Sequence, residues 1–135
     1  MTDRAGIEKL VRDCYAARVR GDVEGVMRFF DRNLQFEIVG DRAITPAAGR
    51  SVGADSFRAQ LTSLVSTFTF HSHDIVSIVI DGTKAAVRAR VKLTSAVTGR
   101  TVETELADFI EVKHGRIVSF AQFIDTALVA TLLTK

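Results

Sequence analysis

The chain has 135 residues, 47% of them hydrophobic and 25% charged, the size and balance of one globular domain covering residues 1–135. Its 18 Lys and Arg against 16 Asp and Glu leave a formal charge of +2 spread along the chain, which gives no electrostatic footprint for nucleic acid. No apolar run approaches the ~20 residues that span a bilayer, and the start MTDRAGIEK lacks the apolar core of a signal peptide, so no membrane partner is expected.

Residues 3–20 predict a helix, because Ile7, Leu10, Val11, Cys14 and Arg18 follow helical spacing. The Thr2–Asp3 pair offers a cap for its start. Cys14 is the only cysteine, which excludes an internal disulfide and a multi-cysteine metal site and points to a reducing cytoplasm. Gly21 ends this helix, and Asp22 caps a second one with Val23, Val26, Met27 and Phe30 on one stripe. Residues 34–39 (LQFEIV) alternate like a strand. Residues 40–53 (GDRAITPAAGRSVG) hold the only proline and read as a loop. A third helix begins near Asp55 and aligns Phe57, Leu61, Leu64, Val65 and Phe68. Beyond residue 70 the period shortens, and 71–80, 85–94, 101–112 and 117–125 predict strands. Asp81-Gly82, Thr98-Gly99 and His114-Gly115 mark the turns between them. Asp125 caps a short closing helix. Helices first and strands after is the α+β pattern.

Strand alternation assigns the faces. Val87, Ala89, Val91 and Leu93 point inward, and Arg88, Arg90 and Lys92 outward. A hairpin near 96–99 sets Lys92 opposite Glu103 and Arg90 opposite Glu105, either as a solvated face or as a charged dimer interface. Phe109 and Phe123 share that outer face. Inside, the series Leu106, Asp108, Ile110, Val112 contains one carboxylate. A buried lone carboxylate is costly and must be paired or protonated. The last strand puts Val118, Phe120, Gln122 and Ile124 inward, with Gln122 opposite Asp108 or one pair diagonal. Two polar groups on an apolar wall are the pattern of a ligand pocket, and they compete with a purely structural Asp.

Other candidates carry weaker signals. His71 and His73 share a strand face with Ile75, but no third ligand is evident, so no metal is expected. His73 fits the pocket rim as a proton shuttle. The Tyr15 hydroxyl is a satisfied core tip or a donor to ligand. Glu37 points outward. Asp41 and Arg42 lie in the loop that borders a cavity mouth. Cys14 reads as core. No phosphate-binding glycine loop, serine elbow or H-E-x-x-H motif is present.

The segments YAARVRGDVEGVMRFFDRNLQFEIVG and FIEVKHGRIVSFAQFIDTAL carry a helix–GD–helix junction and a closing E-V-x-x-G-R-I hairpin. With the loop P-x-x-G-R-x-x-G they resemble the SnoaL-like and ketosteroid-isomerase-like proteins of the nuclear transport factor 2-like superfamily. The resemblance implies a cone, a cystatin-like α+β barrel whose curved antiparallel sheet wraps around helices and an apolar cavity. It also implies a homodimer through the outer sheet face. Carried over residue by residue, the isomerases' general base falls on Ile38, their helix tyrosine on Cys14 beside Tyr15, and their protonated, oxyanion-donating aspartate on Asp108. The Asp–Arg–Asp set of limonene-epoxide hydrolase falls on Ala89, Val91 and Gln122. Asp108 is the nearest counterpart of the polyketide cyclases' acid/base. The expected catalytic group is therefore Asp108, with Gln122, Tyr15, His73, Phe120, Ile38 and Val91 against the ligand and no cofactor. Two functional classes remain open. One is a cofactor-free isomerase, cyclase or dehydratase acting on a hydrophobic polyketide-, terpenoid- or steroid-like molecule. The other is a non-catalytic ligand-binding or dimeric accessory domain.

Overall fold

A computed structural model of the protein describes residues 3–135. Helix α1 (Arg4–Val19) starts where the Asp3 carboxylate accepts from the Gly6 amide; Thr2 lies outside the described residues. The helix ends at Gly21, whose φ of 70° is open to glycine at little cost. Asp22 then accepts from the Gly25 amide and caps α2 (Val23–Met27), a single turn.

The strand that follows is longer than its alternation suggests: β1 runs Phe30–Val39. Phe30 therefore belongs to the sheet and not to the second helix. The predicted 40–53 loop contains a strand, β2 (Gly49–Val52), paired antiparallel to β1 from Gln35↔Val52 to Ile38↔Gly49. Four residues flanked by glycines carry too little alternation to be read from sequence. Helix α3 (Ala54–Thr67) buries Phe57 and Leu61 and leaves Leu64 and Val65 half-buried. Phe68, expected on its face, instead opens β3 (Phe68–Asp81).

The meander β3, β4 (Lys84–Ser95), β5 (Thr101–Lys113) and β6 (Arg116–Phe123) is antiparallel throughout. Its tightest turn has φ of 52° at His114 and 75° at Gly115, as a two-residue hairpin requires. The six strands form one sheet in the order β2-β1-β6-β5-β4-β3. The sheet is mixed, not antiparallel as expected, because β1 lies parallel to β6 (Phe36↔Phe120, Ile38↔Gln122). The chain leaves β1, builds β2, α3 and a meander, and returns alongside it, a path that permits a parallel neighbour. The sheet is curved and unclosed, its two edges being β2 and β3.

Three bulges shape the curvature. In β3, His71 and Val76 are extra residues against β4, and in β6 Val118 is extra against β5. Each bulge shifts the alternation by one. Ile117 is thus fully buried where Val118 was expected, and exposed His71 turns away from half-buried His73. Helix α1 packs on β3 and α3 on β1, inside the curve. Helix α4 (Thr126–Leu132), capped by Asp125 onto the Leu128 amide, closes the end and buries Val129 and Leu132. No helix among the described residues is long and apolar enough to cross a membrane.

Candidate functional site

The concave side of the sheet and helices α1, α3 and α4 enclose a cavity of about 100 Å³. Four phenylalanines build its most compact wall. The Phe57 ring lies 4.6 Å from both Phe30 and Phe36, and Phe120 lies 5.5 Å from Phe36 and 6.0 Å from Phe30, centroid to centroid. These tilted arrangements suit the ring quadrupoles. Ile38, Val91 and Leu93 continue the apolar lining. Tyr15, Arg18, His73, Thr104, Glu105 and Gln122 are its polar lining residues, with the Glu105 carboxylate paired to Arg88 and Arg90.

Asp108 stands behind this wall. It is 0% exposed and directly faces Gln122 across the β5–β6 ladder. It does not line the cavity, but both side chains in front of it do. The Tyr15 hydroxyl donates to Asp108 Oδ2 at 2.5 Å. Oδ1 has no hydrogen-bond partner. Burial raises the Asp108 pKa from an ordinary 3.8 to about 7, opposed by the Tyr15 hydrogen bond and then by the facing Gln122 amide. That amide comes close enough to favour the carboxylate without completing a bond of good geometry, as the unpartnered Oδ1 shows. Burial, followed by the Asp108 charge, holds the Tyr15 phenol well above its usual pKa. Near neutral pH, then, a carboxyl able to take either charge state is coupled to a tyrosine that keeps its proton.

His73 stacks on Tyr15 with ring centroids 3.8 Å apart. Its Nε2 is buried without a partner. Burial lowers the imidazole pKa to about 4; Asp74 works against this and Arg18 with it. The ring is thus neutral under physiological conditions, which suits a proton acceptor better than a donor. Cys14 lines the cavity, and burial with the Asp108 charge pushes its thiol up to about 12, so it serves as packing and not as a nucleophile.

The structure thus brings Tyr15, His73, Gln122, Phe120, Ile38 and Val91 to one cavity and sets Asp108 one shell further back. Asp41 and Arg42 are exposed and absent from the lining. The two histidines diverge: His71 Nε2 meets Thr94 Oγ1 at 2.7 Å on the surface. Among the described residues no three His, Cys, Asp or Glu side chains are placed to hold a metal ion. Arg18 was visible in the sequence only as a charged residue completing the apolar stripe of the first helix. That misfit was its one signal.

A sequence model of the SnoaL-like domain matches residues 11–120. The chain belongs to the SnoaL-like family. Among proteins of curated function none matches this SnoaL-like chain. Its fold is that of the nuclear transport factor 2-like proteins. A member of that group of unknown function from Burkholderia pseudomallei superposes with a TM-score of 0.84 at 20% identity, covering 96% of this chain and 98% of the other. A provisionally described isomerase from Rhodopseudomonas palustris gives 0.79 at 20%, covering 98% of each. A provisionally described polyketide cyclase from Xanthomonas campestris gives 0.77 at 17%, covering 97% and 98%. At such identities the likeness concerns the fold.

Proposed function

We propose that this SnoaL-like protein is a cofactor-free acid/base enzyme that isomerises, cyclises or dehydrates a small hydrophobic molecule. The observation that carries this reading is the buried Asp108 carboxyl, poised at about 7 and bonded to Tyr15 at the cavity wall. Perturbed carboxyls of this kind are functional-site candidates, because a general acid or base works best with a pKa near the operating pH. A tyrosine has one proton. With Asp108 ionised, that proton is committed to Oδ2. With Asp108 protonated, the carboxyl donates to the Tyr15 oxygen and frees the phenol proton for a ligand oxygen that gains charge in the reaction. The pair therefore alternates between taking and offering a proton at one place. Gln122 faces the carboxylate from the neighbouring strand, and neutral His73 offers a second acceptor.

The cavity limits the substrate. Ligand pockets span about 300–1,000 Å³, and an apolar cavity of about 150 Å³ accepts benzene. At about 100 Å³ the cavity is below both figures, so it excludes a steroid and limits the ligand to one small ring of a terpenoid or a polyketide fragment, admitted as the walls yield. The isomerase and cyclase descriptions of two structural neighbours agree with the reaction class. A class-level assay avoids the need for the true substrate: exchange of α-protons of small cyclic ketones for deuterium, followed by NMR. Wild-type protein is expected to accelerate exchange, and Asp108→Asn to lose at least ~100-fold. Equal rates in the two proteins would overturn the acid/base reading.

A second reading has its own support. The positions where the isomerases carry their base and helix tyrosine hold Ile38 and Cys14, an apolar side chain and an unreactive thiol. A non-catalytic ligand-binding domain predicts tight binding of an apolar ring with no exchange, and binding unaffected by Asp108→Asn.

We also propose a homodimer through the convex sheet face. Val79, Ala86, Phe109 and Ala121 form one outward row across four strands, and Phe123 meets Phe109 edge-on at 5.7 Å. Phe109 and Phe123 are 53% and 45% exposed, a loss that a partner copy would remove.

A further inference from the structure

The cavity contains a positive charge that the acid/base chemistry does not use. Arg18 lies in the last turn of α1 and lines the cavity. Its Nη2 donates to the Leu64 and Phe68 carbonyls, at 3.3 and 2.8 Å, where α3 runs into β3. Its guanidinium carbon sits 3.9 Å from the Phe70 ring centroid. These contacts fix the plane of the group while leaving Nε and Nη1 without a hydrogen-bond partner among the described residues. No carboxylate lies within ion-pair distance of it among the described residues either, although the chain pairs its surface arginines at 12, 58, 88 and 90 with acids.

Arg18 is half-buried, and a guanidinium drawn this far out of water normally has an acidic partner, because desolvating a lone charge is costly. Two carbonyls and an aromatic face offset part of that cost, and burial still lowers the Arg18 pKa to about 10. A buried polar atom without a partner shares the cavity: His73 Nε2, which is also sensitive to the Arg18 charge. A fixed fork with two free donors matches a carboxylate, and the phenylalanine wall of the same cavity matches an apolar body.

We propose that the ligand of this cavity is a small hydrophobic carboxylic acid whose carboxylate binds Arg18. The proposal rests on the cavity being the ligand site and adds what the ligand must carry. The anion supplies the missing partner of Arg18, and its ring takes the place of empty space beside Phe57 and Phe120. Around His73 the charged and titratable neighbours are Arg18, Arg12, Tyr15, Asp74 and, behind Tyr15, Asp108. Only the Arg18 charge is neutralised on binding, so the His73 pKa rises from about 4 when the acid is bound.

Calorimetry and NMR titration test this with two pairs of probes: benzoate against benzamide, and cyclohexanecarboxylate against its amide. Each acid is expected to bind wild-type protein at least ~10-fold more tightly than its amide. Arg18→Met is expected to remove that preference and leave amide binding within a factor of two. Arg18→Lys, which keeps the charge without the fork, falls between and guards against a folding defect. The His73 ring signals move to a higher pKa with acid bound and stay put with amide. Amides that bind as well as acids, or an acid preference that survives Arg18→Met, would overturn the carboxylate assignment while leaving the cavity a ligand site. Failure of all four probes at millimolar concentration would overturn both.

Discussion

Asp108 is held at a cost. Its folded pKa of about 7 lies above the ordinary 3.8, so the native state binds a proton more tightly than the unfolded chain does. Stability from this group is intact below pH 4, declines as the pH rises through the window from 4 to 7, and stays reduced above it. The deficit at pH 8 is of the order of a few kcal/mol. Asp108→Asn is therefore expected to be more stable than wild type at pH 8 and nearly equal to it at pH 4.5. His73, whose lowered pKa acts in the opposite sense over part of that range, cancels in the comparison. Urea unfolding at the two pH values measures it. Equal stability differences at both would mean that Asp108 does not titrate there. Tyr15→Phe takes away the one side chain bonded to Oδ2, so the carboxyl moves further above 7 and the fold loses about 1–3 kcal/mol. The same variant should shift the acid limb of any pH–rate profile upward. Cys14 at about 12 should resist iodoacetamide at pH 8 in native protein and react promptly in urea.

At the scale of elements, the site depends on how each segment is started and stopped. Helix α1 delivers Cys14, Tyr15 and Arg18 to the cavity in successive turns because Asp3 and Gly21 fix its two ends. Helix α3 brings Phe57, 1% exposed, against Phe30 and Phe36. Phe57→Ala is expected to cost about 3–5 kcal/mol in chemical denaturation and to enlarge the cavity enough for a second ring. Helix α4 places Val129 on the lining, with the Asp125 carboxylate on the Leu128 amide holding its first turn. Asp125→Ala should cost about 1 kcal/mol and loosen ligand binding from that end. The charged outer strands contribute less. Arg88 and Arg90 both meet Glu105, at 2.6 and 3.2 Å, and at such exposure each pair adds little.

For the whole molecule, the same sheet has two unlike faces, and this division separates chemistry from assembly. The concave face supplies the cavity. The convex face combines an apolar row through Phe109 with the Arg88–Arg90–Glu105 cluster, and we expect it to pair with a second copy. Light scattering at micromolar concentration should give twice the mass of 14.8 kDa, and Phe109→Asp should give the monomer with its cavity chemistry intact. A wild-type monomer would end the dimer proposal without touching the site.

How much of this was legible in the sequence follows from range. Alternation along the strands put Asp108 inward with Gln122 opposite it or one pair diagonal, and the ladder has the direct pairing; it likewise set Arg90 opposite Glu105 and Lys92 opposite Glu103. The capping roles of Asp3, Asp22 and Asp125 were local patterns too. Bulges at His71, Val76 and Val118 were not legible, because one extra residue leaves no mark on composition and yet reverses every later side chain. The parallel β1–β6 pairing was hidden for a similar reason: it joins segments some 80 positions apart. The sequence alone determined the α+β order, the helix starts, the antiparallel meander and a buried carboxylate needing a partner, since each depends on residues near in the chain or on one hairpin register. Only the tertiary structure decided that Tyr15 is that partner, that Asp108 stands behind the cavity wall, and that Arg18 enters the cavity without a counter-charge. Those outcomes depend on where α1 crosses the sheet, which is fixed by packing across the whole core.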